Sequence, residues 1–186
     1  MKNLEQLRKS WQQLSPDISP IGHLLKYSYP NRWVRFHYLP ESKRYPDTDE
    51  EYNIIIDRSR QLLEFLSSAE DDLYILAPDY VDKEYRSKLN ELLSVIAAGA
   101  AEFGTVQMDN EVWNILSARL LPEAVFRVVR LVADEELTDV VIANFSAGFL
   151  YHPYDGGMDF ILKSTASRDR LKDNFFDWYP LDTGGL

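Results

Sequence analysis

The 186-residue chain contains no cysteine, which excludes disulfide staples, thiolate nucleophiles and cysteine-ligated zinc. A cysteine-free chain fits the cytoplasm. Histidine is nearly as scarce, with only His23, His37 and His152, and no HExxH spacing is present. A metal site would need His37, His152 and a carboxylate such as Asp155 or Asp159 to converge, so the expectation is no metal and no cofactor. Nucleotide-binding glycine patterns are missing, and so is the G-x-S-x-G elbow of serine hydrolases. Its nearest approximation, Phe145-Ser146-Ala147-Gly148, reads as a turn between strands. Long apolar runs are lacking too. The longest uncharged segment, Val140 to Tyr154, is broken by Asn144, Ser146, Gly148 and Pro153, far from the roughly 20 apolar residues of a membrane span. The first 14 residues keep charges and glutamines where a signal peptide needs an apolar run.

Positive charge is in deficit, with 20 Lys and Arg against 30 Asp and Glu and a formal net charge of -10. Broad nucleic-acid binding is therefore excluded as an expectation, because its affinity comes from Lys and Arg contacts to phosphates. A basic partner, steered by opposite charge, fits better. So many acids also make accidental carboxylate pairs unavoidable, and a two-carboxylate catalytic site has no specific signal here.

What remains is an ordinary globular composition, 45% hydrophobic and 27% charged. The expectation is one domain over 1–186, with residues 1–20 as an N-terminal docking helix and linker. Leu4, Leu7, Trp11 and Leu14 recur at helical steps and predict a helix over 2–14. Residues 32–38, RWVRFHY, alternate as a strand, and the two prolines of 39–47 predict a loop. Thr48 and Glu51 match a capping box before a stripe of Tyr52, Ile55, Ile56, Ser59, Leu62, Leu63 and Leu66. Strands are predicted at 72–78 and 112–120 and a helix at 83–98. A crossover helix follows, started by Pro122 and carrying Val125, Val128, Val129 and Val132. Three short strands at 139–144, 148–152 and 158–163 and a helix at 166–178 complete the chain. The fold class is α+β, or α/β, with a mixed central β-sheet of about six strands. That sheet has parallel neighbours in its middle and a C-terminal three-strand meander, with four to five helices flanking it.

The stretch YHPYDGGMDF, residues 151–160, concentrates chemistry-bearing side chains, and it also reads as a hairpin. With Asp155-Gly156 as the centre of a type I′ turn, Tyr154 opposes Gly157, His152 opposes Asp159 and Tyr151 opposes Phe160. Phe149, Tyr151, Phe160 and Leu162 then share an apolar side. His152 and Asp159 share the other, either as an aspartate fixing a histidine on a sheet surface or as a base-plus-orienter dyad. They are the candidate catalytic pair. A second cluster lies in 32–45, where Arg32, Arg35, His37, Lys43 and Arg44 interleave with Trp33, Tyr38 and Tyr45 inside an acidic protein. Its plain reading is a solvated edge whose cations pair with surplus acids. Its functional reading is a contact patch of Trp33, Arg35, His37, Lys43, Arg44 and Tyr45, extended by Tyr154 and Asp155.

Two segments carry a resemblance: RWVRFHYLPESKRYPDTDEEY at 32–52, and LYHPYDGGMDFIL through RDRLKDNFFDWYPLDTGGL at 150–186. The second resembles the C-terminal part of small bacterial domains of unknown function, and such small acidic domains are similar to immunity proteins of bacterial toxin systems. The resemblance supplies no catalytic residue. It implies a non-enzymatic protein-binding module with a basic toxin domain as the partner to consider, and it directs attention to Arg35, Lys43, Arg44, Tyr45, His152, Tyr154, Asp155 and Asp159. Two alternatives stand beside it. One is an enzyme or small-ligand binder using His152 and Asp159 with the Arg35 and Arg44 cluster, and the other is a subunit that forms a homodimer.

Overall fold

The computed structural model describes residues 2–80, 82–108, 110–121 and 123–179. An N-terminal helix, α1 (Leu4–Leu14), is closed by Asn3 and Gln6, which exchange side-chain and backbone hydrogen bonds. The short helix α2 (Gly22–Ser28) leads into strand β1 (Trp33–His37). A single 3-10 turn, Pro40–Ser42, interrupts the loop that precedes α3 (Asp49–Leu66). Thr48 caps α3 as its sequence predicts, accepting the Glu51 N–H, but Glu51 returns its carboxylate mainly to the Asp47 N–H at 2.6 Å.

Next come β2 (Leu73–Asp79), α4 (Lys83–Ile96), β3 (Ala97–Met108), β4 (Glu111–Leu120) and α5 (Ala124–Ala133). The meander is β5 (Val141–Asn144), β6 (Phe149–Tyr154) and β7 (Gly157–Leu162), followed by α6 (Thr165–Asn174) and a 3-10 turn, Phe176–Trp178. Pro122, expected to start α5, lies outside the described residues.

The fold is α+β, built on one seven-stranded sheet in the order β1-β7-β6-β5-β2-β4-β3. Three details differ from expectation, the first being α2, which brings the described helices to six where four to five were expected. The sheet gains β3, and every neighbouring pair is antiparallel rather than mixed. The crossover helix does exist: α5 links β4 to β5, which run the same way, but β2 lies between them and is antiparallel to both. Periodicity marked the crossover correctly and could not show which strand would fill the gap.

Helices α3 to α6 cover one face of the sheet, and α1 and α2 cover the other. The meander's apolar side faces the first group, where Tyr151 stacks on Phe160 at 4.8 Å and Phe36 meets Phe160 edge-on. Burying each such ring contributes about 1.5–3 kcal/mol. Ser59, the polar member of the α3 stripe, accepts the Tyr151 hydroxyl at 3.3 Å. The second face is smaller and holds the polar groups of β1, β6 and β7.

Candidate functional site

The hairpin register is the expected one, with His152 opposite Asp159 and Tyr154 opposite Gly157. The turn is not type I′, because neither Asp155 nor Gly156 has a positive φ. The glycines answer to crowding instead. A Cβ on Gly157 would run into the Phe36 carbonyl oxygen of β1, and one on Gly156 would lie 3.0 Å from Cγ of Arg44. The incoming β1 strand leaves no room for a side chain at Gly157, and at Gly156 the Arg44 side chain would have to give way.

That close approach brings the two candidate segments together. Arg35 on β1 donates to both oxygens of Asp159 on β7, Nε to Oδ1 at 2.7 Å and Nη2 to Oδ2 at 2.9 Å. The pair is buried, with side-chain exposures of 8% and 5%. Burial pulls the Arg35 pKa down, and the hydrogen bonds and charge of Asp159 more than reverse it, so the net shift is upward. Tyr154 lies against the guanidinium at 4.6 Å and Trp33 at 5.3 Å. At the turn, Arg44 donates to Asp155 from Nε at 2.8 Å, and the Tyr45 hydroxyl donates to the same carboxylate at 3.1 Å.

His152 and Asp159 are cross-strand neighbours, but their bonds go elsewhere. Both Asp159 oxygens engage Arg35, and His152 hydrogen-bonds through Nδ1 to the Val140 carbonyl at 3.0 Å. A carbonyl only accepts, so Nδ1 carries the proton. Neither residue is on a sheet surface as expected, since both are buried. Desolvation lowers the His152 pKa, with the Asp159 charge opposing it, and the ring is neutral near pH 7. Its ring packs on the α-carbon of Gly22, where a Cβ would overlap it. His152 thus ties β6 to the start of α2 and to Val140.

Lys43 is not drawn into this corner, and His37, though paired through its backbone with Gly157, is not among the side chains around Arg35. Lys43 bridges Asp47 and Glu51 at 2.7 and 2.6 Å, while His37 lines a separate cavity near the C-terminal 3-10 turn. Among the described residues, no group of three His, Asp or Glu side chains is placed to hold a metal ion. No described helix is long and apolar enough to cross a membrane.

The histidine-aspartate contact that sequence spacing assigned to His152 is made by a different pair. His23 Nδ1 lies 2.6 Å from Oδ1 of Asp139, which also accepts the His23 backbone N–H and, through Oδ2, the Tyr80 hydroxyl at 2.6 Å. Burial raises the Asp139 pKa, but these hydrogen bonds and the histidine charge outweigh it and lower the pKa overall. Asp139 also caps α2, whose own N-cap residue, Ile21, offers no side-chain oxygen. The two partners lie 116 positions apart, and Asp139 holds φ at 55°, so no local sequence signal joins them. Tyr27 is another residue that spacing missed: it is 73% exposed and within electrostatic reach of Arg35.

No curated protein and no solved structure matches the chain. A family model described as a domain of unknown function (DUF3885) matches residues 21–181, from just before α2, through every strand of the sheet, to beyond α6. Helix α1 precedes the matched span. With most of its length covered, including the hairpin, the β1 loop and Asp139, the chain belongs to the DUF3885 family.

Proposed function

We propose that this chain is a non-enzymatic protein-binding module whose contact surface is the corner where β1 meets the β6–β7 turn. The observation that carries this reading is a collar of aromatic and arginine side chains around the closed Arg35–Asp159 pair. Tyr27 and Tyr45 are exposed at the rim, Trp33 and Tyr154 are half-buried beside the guanidinium, and Arg44 is exposed over Asp155. Tyr, Trp and Arg are the residues that most often anchor protein interfaces, because each supplies a large contact area with few rotamers or a directional fork of donors.

The catalytic candidates support the same reading. His152 has its Nδ1 proton engaged and Asp159 both oxygens engaged, which suits a scaffold better than proton transfer. The net charge of -10 favours a basic partner through steering. The resemblance to immunity-type proteins makes a bacterial toxin domain, met in the cytoplasm, the first partner to test.

The experiment is co-expression with the products of adjacent genes, using the wild-type chain and a Tyr27→Ala/Tyr45→Ala double variant. A toxin-like partner should co-purify with the wild type, and the double variant should lose roughly tenfold or more in affinity. Equal retention by both forms would move the interface elsewhere. If no adjacent product binds, the reading fails.

A further inference from the structure

A second arginine, Arg58 on α3, is drawn out of water without a carboxylate to meet it. Its Nη1 donates to the His37 carbonyl at 2.9 Å and its guanidinium lies 5.0 Å from the Trp178 ring centre. Among the described residues no carboxylate pairs with it, and burial lowers its pKa with nothing opposing the effect. A half-buried cation with unused donors is costly unless something supplies the missing acceptor. Arg58 lines a cavity of about 240 Å³ with His37, Leu39, Ser42 and Trp178.

The geometry of the walls sets the chemistry of an occupant. A guanidinium presents a flat fork of N–H donors that matches the two oxygens of a carboxylate or phosphate. Ser42 adds a hydroxyl, 3.5 Å from Nε2 of His37, on a left-handed backbone shared with Glu41. Glu41 and Asp177 also line the cavity. Two neighbouring negative charges penalise a dianion more than a monoanion, and they select carboxylate over phosphate. Leu39 and Trp178 offer an apolar wall and an aromatic one. The volume falls below the roughly 300–1,000 Å³ of pockets for drug-sized ligands, so the occupant is small.

We propose that this cavity is a binding site for a small-molecule monocarboxylate with an apolar body, whose carboxylate is held by Arg58. The site uses none of the contact side chains of the proposed protein-binding corner and does not depend on that reading.

The test is NMR titration of the full-length chain with benzoate, following the Arg58 Nε–H and Trp178 indole resonances, with acetate and inorganic phosphate as comparison probes. Benzoate should shift both resonances saturably, and acetate, lacking the ring, should bind more weakly. Arg58→Gln should abolish the Trp178 shift, and Arg58→Lys, which keeps the charge but loses the fork, should weaken binding roughly tenfold. The wild-type Arg58 resonance decides the matter even if a variant fails to fold. Absence of a saturable shift, unchanged benzoate affinity in Arg58→Gln, or tighter binding of phosphate than of benzoate would overturn the proposal.

Discussion

Arg35 lies on the edge strand β1 and Arg58 bonds to the end of the same strand, and the structure treats them in opposite ways. Arg35 meets Asp159 through two hydrogen bonds and is closed off between Trp33 and Tyr154. Arg58 receives one carbonyl and one aromatic ring, then opens into a cavity. A buried cation whose partner is part of the chain is architecture, because removing either half strands the other. A cation whose partner is not part of the chain contributes little to folding and remains available to something else.

The contrast is sharpest in stability. Asp159→Asn leaves Arg35 charged and uncompensated, and should lower the unfolding free energy in urea by about 3–5 kcal/mol. The paired replacement Arg35→Met/Asp159→Leu should recover most of that loss, since it removes both charges together. If Asp159→Asn cost less than Arg58→Met, the distinction between the two arginines would collapse.

Gly22→Ala probes the same corner from its other side by pushing a methyl group into the His152 ring. Overpacking of this kind should cost about 1–3 kcal/mol in a thermal melt. Combining it with His152→Ala, which vacates the space, should cost less than the sum of the two single changes.

The buried imidazole also gives the corner a pH dependence. His152 stays neutral in the fold, surrounded by Asp159, Asp139, His23 and the Val140 carbonyl, while the unfolded chain binds a proton near pH 6.5. Its contribution to stability is complete above about pH 6.5 and is lost as pH falls below that, at up to about 1.4 kcal/mol per pH unit. Replacing His152 by Asn, which still offers an N–H to Val140, should flatten the difference between urea midpoints at pH 7 and pH 5.5. An unchanged difference would show that the ring is protonated in the fold.

The smallest effect belongs to the open arginine. Arg58→Met removes one hydrogen bond and an unbalanced charge together, and should change the unfolding free energy by no more than about 1 kcal/mol. A loss as large as that of Asp159→Asn would mean that Arg58 is structural after all.

Much of this architecture could be read from the chain before any tertiary information. The period-two stretch at β1, the stripe of α3 and the hairpin register from Phe149 to Leu162 all lie where spacing puts them. They were legible because a half-buried strand or helix must show its buried face as a local period. Strand β3 was not legible. Its first half, Ala97 to Gly104, has small residues, one charge and two irregularities of register against β4, so it shows no alternation to detect. Pairing with β4 decides its conformation, and the Arg8 guanidinium from α1 donates to the carbonyls of Glu102 and Phe103 at its bulge.

The candidate site divides along the same line. His152, Asp159, Arg35, Arg44 and Asp155 stood out by residue type, and β1 pairing with β7 brings them to one corner. Which carboxylate each cation would meet did not follow from type or spacing, because thirty acids were on offer. Arg58 drew no notice inside an ordinary helix, and Asp139 gave no sign that it would cap α2 and hold His23.

The sequence by itself determined the α+β class, most elements, the hairpin register and the absence of cysteine chemistry, all of which follow from local periodicity and composition. Only the tertiary structure decided that the neighbours are antiparallel, that Arg35 rather than His152 binds Asp159, and that Arg58 opens into a cavity. The reason is physical. Period and propensity act between residues a few positions apart, whereas charge pairing and cavities depend on groups that the sheet brings together from more than a hundred positions away.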